Sequence, residues 1–109
     1  MEIVLGYITH ENEAEALRVV DHLLKKRLIA CANVFPVRSC FWWKGKIQRT
    51  GEAVSIVKTQ ERLWEQVVEE VSKVHSYEVP CIVRINAACN PSFGAWIEEE
   101  TRAVEGGTA

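Results

Sequence analysis

Apolar residues recur along this chain with two periods, one suited to strands and one to helices. Residues Glu2 to Thr9 are rich in Ile, Val, Leu and Tyr and predict a strand. Asn12 then stands as a helix cap, with Glu15 three residues on in the capping-box position. Leu17, Val20, Leu24 and Leu28 follow at helical spacing and predict one buried face. Ile29 to Trp43 is strand-like again, and Ile47 to Thr59 returns antiparallel across the turn signal Lys44-Gly45-Lys46. Pro36 has no amide hydrogen and implies an edge or a bulge. Thr59 is placed to cap a second helix, whose buried stripe is Leu63, Val67, Val71 and Val74, with Trp64 and Val68 alongside. Pro80 to Asn86 is a last strand. Asn90-Pro91 opens a last helix, Asn as cap and Pro at the first helical position, with Phe93, Trp96, Ile97 and Val104 as its apolar face.

The order is βαββαβ plus a C-terminal helix. It predicts an α+β, ferredoxin-like sandwich, an antiparallel sheet with two helices on one face. One domain is expected over residues 1–104, with a loose tail over 105–109. This topology hosts many functions and selects none of them.

The hairpin carries more information. Arms of about 12 residues at ~3.3 Å each reach ~40 Å, longer than a domain of this size is wide. The tip must project or pack on a neighbour. It holds Phe41, Trp42 and Trp43 in succession, and alternation puts Trp42 on one face and the other two on the opposite face. A projecting arm that is apolar on both faces calls for a partner, and a second copy of the chain is the economical one.

Charge and composition remove several function classes. The formal net charge is −2 over 109 residues, without the basic footprint of a general nucleic-acid binder. The third strand also lacks the aromatics on which RNA-recognition modules stack bases. No apolar run approaches the ~18–20 residues of a membrane span. The opening Met1-Glu2-Ile3-Val4 lacks a cationic leader segment, so a cytoplasmic protein is expected. Cys31, Cys40, Cys81 and Cys89 form no C-x-x-C pair and are expected as reduced thiols, Cys31 and Cys40 as inert ones. No nucleophile sits in a recognisable elbow, and no glycine-rich phosphate loop is present, so an enzyme is not expected. Lys25-Lys26-Arg27 reads as a solvated basic helix end.

Of the histidines, His10 is expected in an exposed loop and His22 on or near the surface of the first helix. His75 differs. It ends the second helix and leads the segment His75-Ser76-Tyr77-Glu78-Val79-Pro80. A neutral imidazole there suits copper, zinc or nickel, although one histidine does not make a site.

Five blocks now stand together: Lys26 to Asn33, Phe41 to Ile47, Glu52 to Thr59, His75 to Pro80, and Phe93 to Ile97. In order and spacing they resemble the CutA divalent-cation tolerance proteins over nearly the whole chain. The resemblance implies a tight homotrimer, similar in architecture to the nitrogen-regulatory PII proteins, with strands paired between subunits through the long hairpin. It implies metal tolerance through binding of copper or another divalent cation, without catalysis. His75 and Tyr77 match the family's usual His-Pro-Tyr segment, which makes His75 the leading metal candidate. Ser76 replaces the proline. Cys81 replaces a common acidic residue, which weakens a hard-ion site and favours copper or zinc. A cysteine that some members carry stands at the Gly6 position, and a second histidine at the Val74 position; both are missing here. Trp42, Lys58, Tyr77 and Glu78 lie in shared motifs and are expected to line an intersubunit cleft. The competing expectation is a PII-like signalling or scaffold protein, whose cleft binds a small anion or a protein partner.

Overall fold

The computed structural model describes residues 1–102. Residue 104 and the tail over 105–109, for which a helix face and looseness were expected, lie outside the described residues. The elements are β1 (Glu2–His10), α1 (Glu13–Lys25), β2 (Cys31–Trp43), β3 (Lys46–Thr59), a 3₁₀ turn (Glu61–Leu63) running into α2 (Trp64–Val74), β4 (Ile82–Ala88) and α3 (Pro91–Glu100). The sheet order is β2-β3-β1-β4, with every neighbouring pair antiparallel. β1 and β2 are thus parallel with β3 between them, the split βαβ arrangement that the element order predicts.

Alternation assigns the two faces of the sheet. Val4, Gly6, Ile8 and His10 lie level with Thr59, Val57, Ser55 and Ala53. Ile8 and Val57 pack in one cluster with Val19, Val20 and Leu23 of α1 and Val67 and Val71 of α2, so this face carries the core. The opposite face holds Leu5, Tyr7 and Thr9, and on β4 Val83 and Ile85, which are 47% and 43% exposed. Asn12 caps α1 as expected, its Oδ1 accepting from the Glu15 amide at 2.9 Å.

Several expectations need correction. The buried face of α1 is Ala16, Val19, Val20 and Leu23, while Leu17 is 55% exposed. The apolar residues at Leu17 and Leu24 define a stripe rotated by about one position from the one that meets the sheet. Thr59 caps no helix: its hydroxyl donates to the Leu28 carbonyl at 2.6 Å and ties the end of β3 to the turn after α1. Ile29 precedes β2 and is buried in that turn, and β4 starts at Ile82 instead of Pro80. Pro36 marks an edge and no bulge, since β2 is the outer strand and its register with β3 runs unbroken from Cys31↔Lys58 to Trp43↔Lys46.

The hairpin projects. β1 pairs with β3 only as far as His10↔Ala53, so residues Lys46 to Glu52 pair with β2 alone. The molecule measures 48 × 29 × 21 Å. Lys44 and Gly45 have φ of 48° and 79°, the two-residue turn with positive φ that matches strand twist. α3 crosses the end of the sheet near Met1, whose ammonium donates to the Cys89 carbonyl at 3.0 Å. Arg27 pairs with Glu100 at 3.0 Å and holds α3 to the end of α1.

Candidate functional site

Strand parity carries His10 into the interior. It lies two residues beyond Ile8 on the core face and is 1% exposed, which corrects the exposed loop expected of it. Its Nε2 shares a 2.7 Å hydrogen bond with the hydroxyl of Ser55, its diagonal neighbour on the adjacent strand, since Ala53 lies opposite His10 and Ser55 lies opposite Ile8. Its Nδ1 is buried without a partner. Burial, and then the neighbouring His75, lower its pKa from 6.5 to about 4, so the ring is neutral near pH 7.

His75 ends α2 and lays its ring over His10, centroids 5.2 Å apart and planes 20° from parallel. Its Nε2 lies 2.7 Å from the Thr9 carbonyl and donates to it. Nδ1 then accepts from the Tyr77 amide at 3.0 Å. This pair of bonds selects the neutral ring protonated on Nε2. Tyr77 packs against His75 with centroids 4.9 Å apart, and its hydroxyl donates to Glu52 on β3. Burial and the Glu52 carboxylate push the Tyr77 hydroxyl well above the ordinary phenol range. The turn after α2 is therefore bound both to the end of β1 and to the root of the projecting hairpin.

Beyond Tyr77 a groove of about 720 Å³ opens between this turn and the hairpin. Phe41, Trp43 and Glu52 line one side, and Tyr77, Glu78 and Cys81 the other. Cys40 also reaches it. Within one chain the four residues expected to form a cleft are divided. Tyr77 and Glu78 share the groove. Trp42 points to the other face of the hairpin and is 72% exposed. Lys58 lies further along β3, level with Leu5 and Cys31, and donates to Asn33 Oδ1.

The metal candidates are also apart. Cys81 lines the groove, whereas both ring nitrogens of His75 are engaged behind Tyr77. Among the described residues no group of three or more His, Cys, Asp or Glu side chains is placed to hold a metal ion. The four cysteines are unpaired, and burial raises the Cys31 thiol. Ser55 and His10 have nucleophile–base contact geometry, but at 0% and 1% exposure the pair is sealed from any substrate.

Gly6 lies beneath α2. A Cβ there would meet Val57 Cγ2 at 2.8 Å and the Trp64 ring at 2.9 Å, so a cysteine at this position has no room here. Ser55 and Glu52 are unremarkable locally, and His10, flanked by Glu11 and Asn12, reads as a loop residue. Period-two parity from Ile8 was the available signal for His10.

Comparison with known proteins agrees with this architecture. A divalent-cation tolerance protein CutA from Pyrococcus horikoshii is 42% identical over 101 residues, covering 92% of this chain and 99% of that protein. The protein of the same name from Archaeoglobus fulgidus is 44% identical over 94 residues, covering 85% and 92%. Among solved structures, one described as the periplasmic divalent cation tolerance protein CutA from A. fulgidus matches with a TM-score of 0.88 at 41% identity, covering 94% of this chain and all of that one. CutA1 from P. horikoshii also gives 0.88 at 41% identity, covering 91% and 98%. The sequence model of the family described as CutA1 divalent ion tolerance protein matches residues 4–100, and the chain belongs to that family.

Proposed function

We propose that this protein serves divalent-cation tolerance by binding a metal ion, as a homotrimer in the cytoplasm, and without catalysing a reaction. The observation that carries this reading is near full-length similarity to proteins named for divalent-cation tolerance. Copper is the ion of choice for the nitrogen and sulfur donors at hand, His75 and Cys81. In the single chain Nδ1 of His75 is held by the Tyr77 amide, so an ion takes that nitrogen only as the turn from His75 to Cys81 rearranges. Metal uptake is thereby coupled to the turn and, through Tyr77 and Glu52, to the hairpin. Self-association through the hairpin brings Trp42 and Lys58 of one chain toward a neighbour and completes the cleft with Tyr77 and Glu78.

Native mass spectrometry with copper(II) added at low stoichiometry tests this. A species of three times the 12.4 kDa chain mass should take up copper in steps to three ions. His75→Ala should abolish uptake and Cys81→Ser should weaken it. A trimer that stays copper-free removes the copper site. A monomer removes the assembly.

A further inference from the structure

The fold buries His10 and leaves one of its nitrogens idle. The residue is 1% exposed, and Nδ1 has no hydrogen-bond partner among the described residues. Buried polar atoms are nearly always paired, because an unmade hydrogen bond costs the desolvation of the group with nothing in return. The atom is sealed within its own subunit, so a second copy of the chain packed on the hairpin or the open sheet face does not reach it. His75 lies directly against the ring, and it is the metal candidate that lacks a second donor.

The two histidines are held alike. His10 Nε2 is bound to the Ser55 hydroxyl and His75 Nε2 to the Thr9 carbonyl, each at 2.7 Å. Metal-ligating histidines are held in this way: the ring N–H away from the ion goes to a fixed oxygen, which sets the tautomer and frees the other nitrogen. With Nε2–H given to Ser55, the idle Nδ1 of His10 carries a lone pair. Nδ1 of His75 carries one too, since it accepts from the Tyr77 amide at 3.0 Å. The ring centroids are 5.2 Å apart. Two imidazoles on one ion, each nitrogen ~2.0–2.1 Å from it, have centroids roughly 4.5–6.4 Å apart, from right-angle to in-line ligation. The spacing therefore suits a shared ion with β1 in place, and the Tyr77 amide is the group that gives way.

From this arrangement we infer that His10 is the second ligand of the ion that His75 takes: the two Nδ1 atoms hold one copper ion between the end of β1 and the end of α2, within a single subunit. This rests on the proposed role of His75 and supplies the donor that one histidine lacks. Neutral imidazoles suit copper or zinc and not the hard alkaline-earth ions. Among the described residues no cluster of three donors exists, so the two-histidine pair is the densest set of nitrogen donors that the fold assembles at this end of the sheet.

The test uses the full chain in its native assembly with one equivalent of copper(II) per chain at pH 7. Pulsed electron paramagnetic resonance counts the imidazoles coupled to the ion. The unaltered protein should show two. His10→Phe keeps a ring stacked on His75, and should show one imidazole and bind copper at least tenfold more weakly. Ser55→Ala removes the oxygen that holds His10 Nε2, and should weaken binding severalfold with both imidazoles still coupled. If His10→Phe fails to fold, nitrogen-15 NMR of the histidine-labelled, unaltered protein decides with zinc(II) as a diamagnetic probe: the His10 Nδ1 resonance should move on binding, and a resonance that stays in place overturns the inference. One imidazole in both the unaltered protein and His10→Phe would overturn it and leave the role of His75 standing. Two imidazoles that survive His10→Phe would overturn it as well, since the second would come from His22 or from another subunit. Copper that stays in the aqueous form would overturn this inference together with the metal-binding reading it rests on.

Discussion

A histidine sealed among apolar residues makes folding stability depend on pH. The unfolded chain protonates His10 with an ordinary pKa of 6.5, whereas the folded chain resists until about 4. Above pH 6.5 neither state holds the proton and His10 imposes no pH dependence. As pH falls from 6.5 to 4 the unfolded state binds more protons and stability is lost, on the order of 3 kcal/mol in full. Denaturant titrations at pH 7, 5.5 and 4 should show this slope, and His10→Phe should flatten it. The variant will be weaker at neutral pH, because Ser55 loses its partner, but an unchanged slope would exclude His10 as the cause. Gly6 offers a second test at this scale. Gly6→Cys forces a side chain against Val57 and the Trp64 ring, both too rigid to yield freely. Overpacking of this kind costs about 1–3 kcal/mol, and a lowered denaturation midpoint should report it. A neutral result would mean that α2 shifts outward at no cost.

The two core helices are joined at their surface by a charged cluster centred on Glu70 of α2. His22 of α1 reaches it at 3.0 Å, Lys26 at the end of α1 at 3.5 Å, and Lys73 of α2 at 3.1 Å. The hydrogen bonds from His22 first and Lys73 second lower its carboxyl from 4.5 to about 2. A depressed carboxyl pKa stabilises the fold above pH 4.5, and that contribution is lost as pH falls from 4.5 toward 2. Glu70→Gln should remove this part of the acid transition, at lower pH than the part owed to His10. The two variants therefore separate the acid limb into windows, and a transition unchanged by Glu70→Gln would show that the cluster is too well solvated to matter. The basic end of α1 is used in the same way. Lys25 pairs with Asp21 at 2.8 Å and Arg27 with Glu100, so these residues bind the chain's own carboxylates.

At the scale of the whole molecule the projecting hairpin dominates. Trp42 and Ile47 are opposite each other in the β2–β3 register and are 72% and 49% exposed. Phe41 and Trp43 expose 40% and 39% on the other side. The sheet face away from the helices adds Val83 and Ile85. Apolar area of this extent on an isolated chain marks an interaction surface. On the proposed trimer, Trp42→Lys combined with Ile47→Lys should lower the assembled mass to that of a monomer at micromolar concentration, read by light scattering after size exclusion. A trimer that survives both changes would place the interface on the open sheet face instead.

Local signals sufficed for the element order, the hairpin turn, the Asn12 cap and the stripe Leu63–Val67–Val71, because each depends on residues within a few positions of one another. Period two and period 3.6 report which face of an element is apolar, and Gly45 in its turn reports positive φ. They do not report what a face meets. Leu17 and Leu24 satisfy the helical period as well as Val19 and Leu23 do, and only contact with the sheet chose between the two stripes. The site goes further beyond local pattern. Thr9, Glu52, His75 and Tyr77 come from three parts of the chain and meet because β1 pairs with β3 while α2 returns over the same end of the sheet. The sequence marked His75 and Tyr77 through the motif they share. Tertiary packing buried His10, engaged both nitrogens of His75, separated Lys58 from Tyr77 within one chain and set the Tyr77 hydroxyl on Glu52, since burial and partnership are properties of surfaces brought together and not of any one segment.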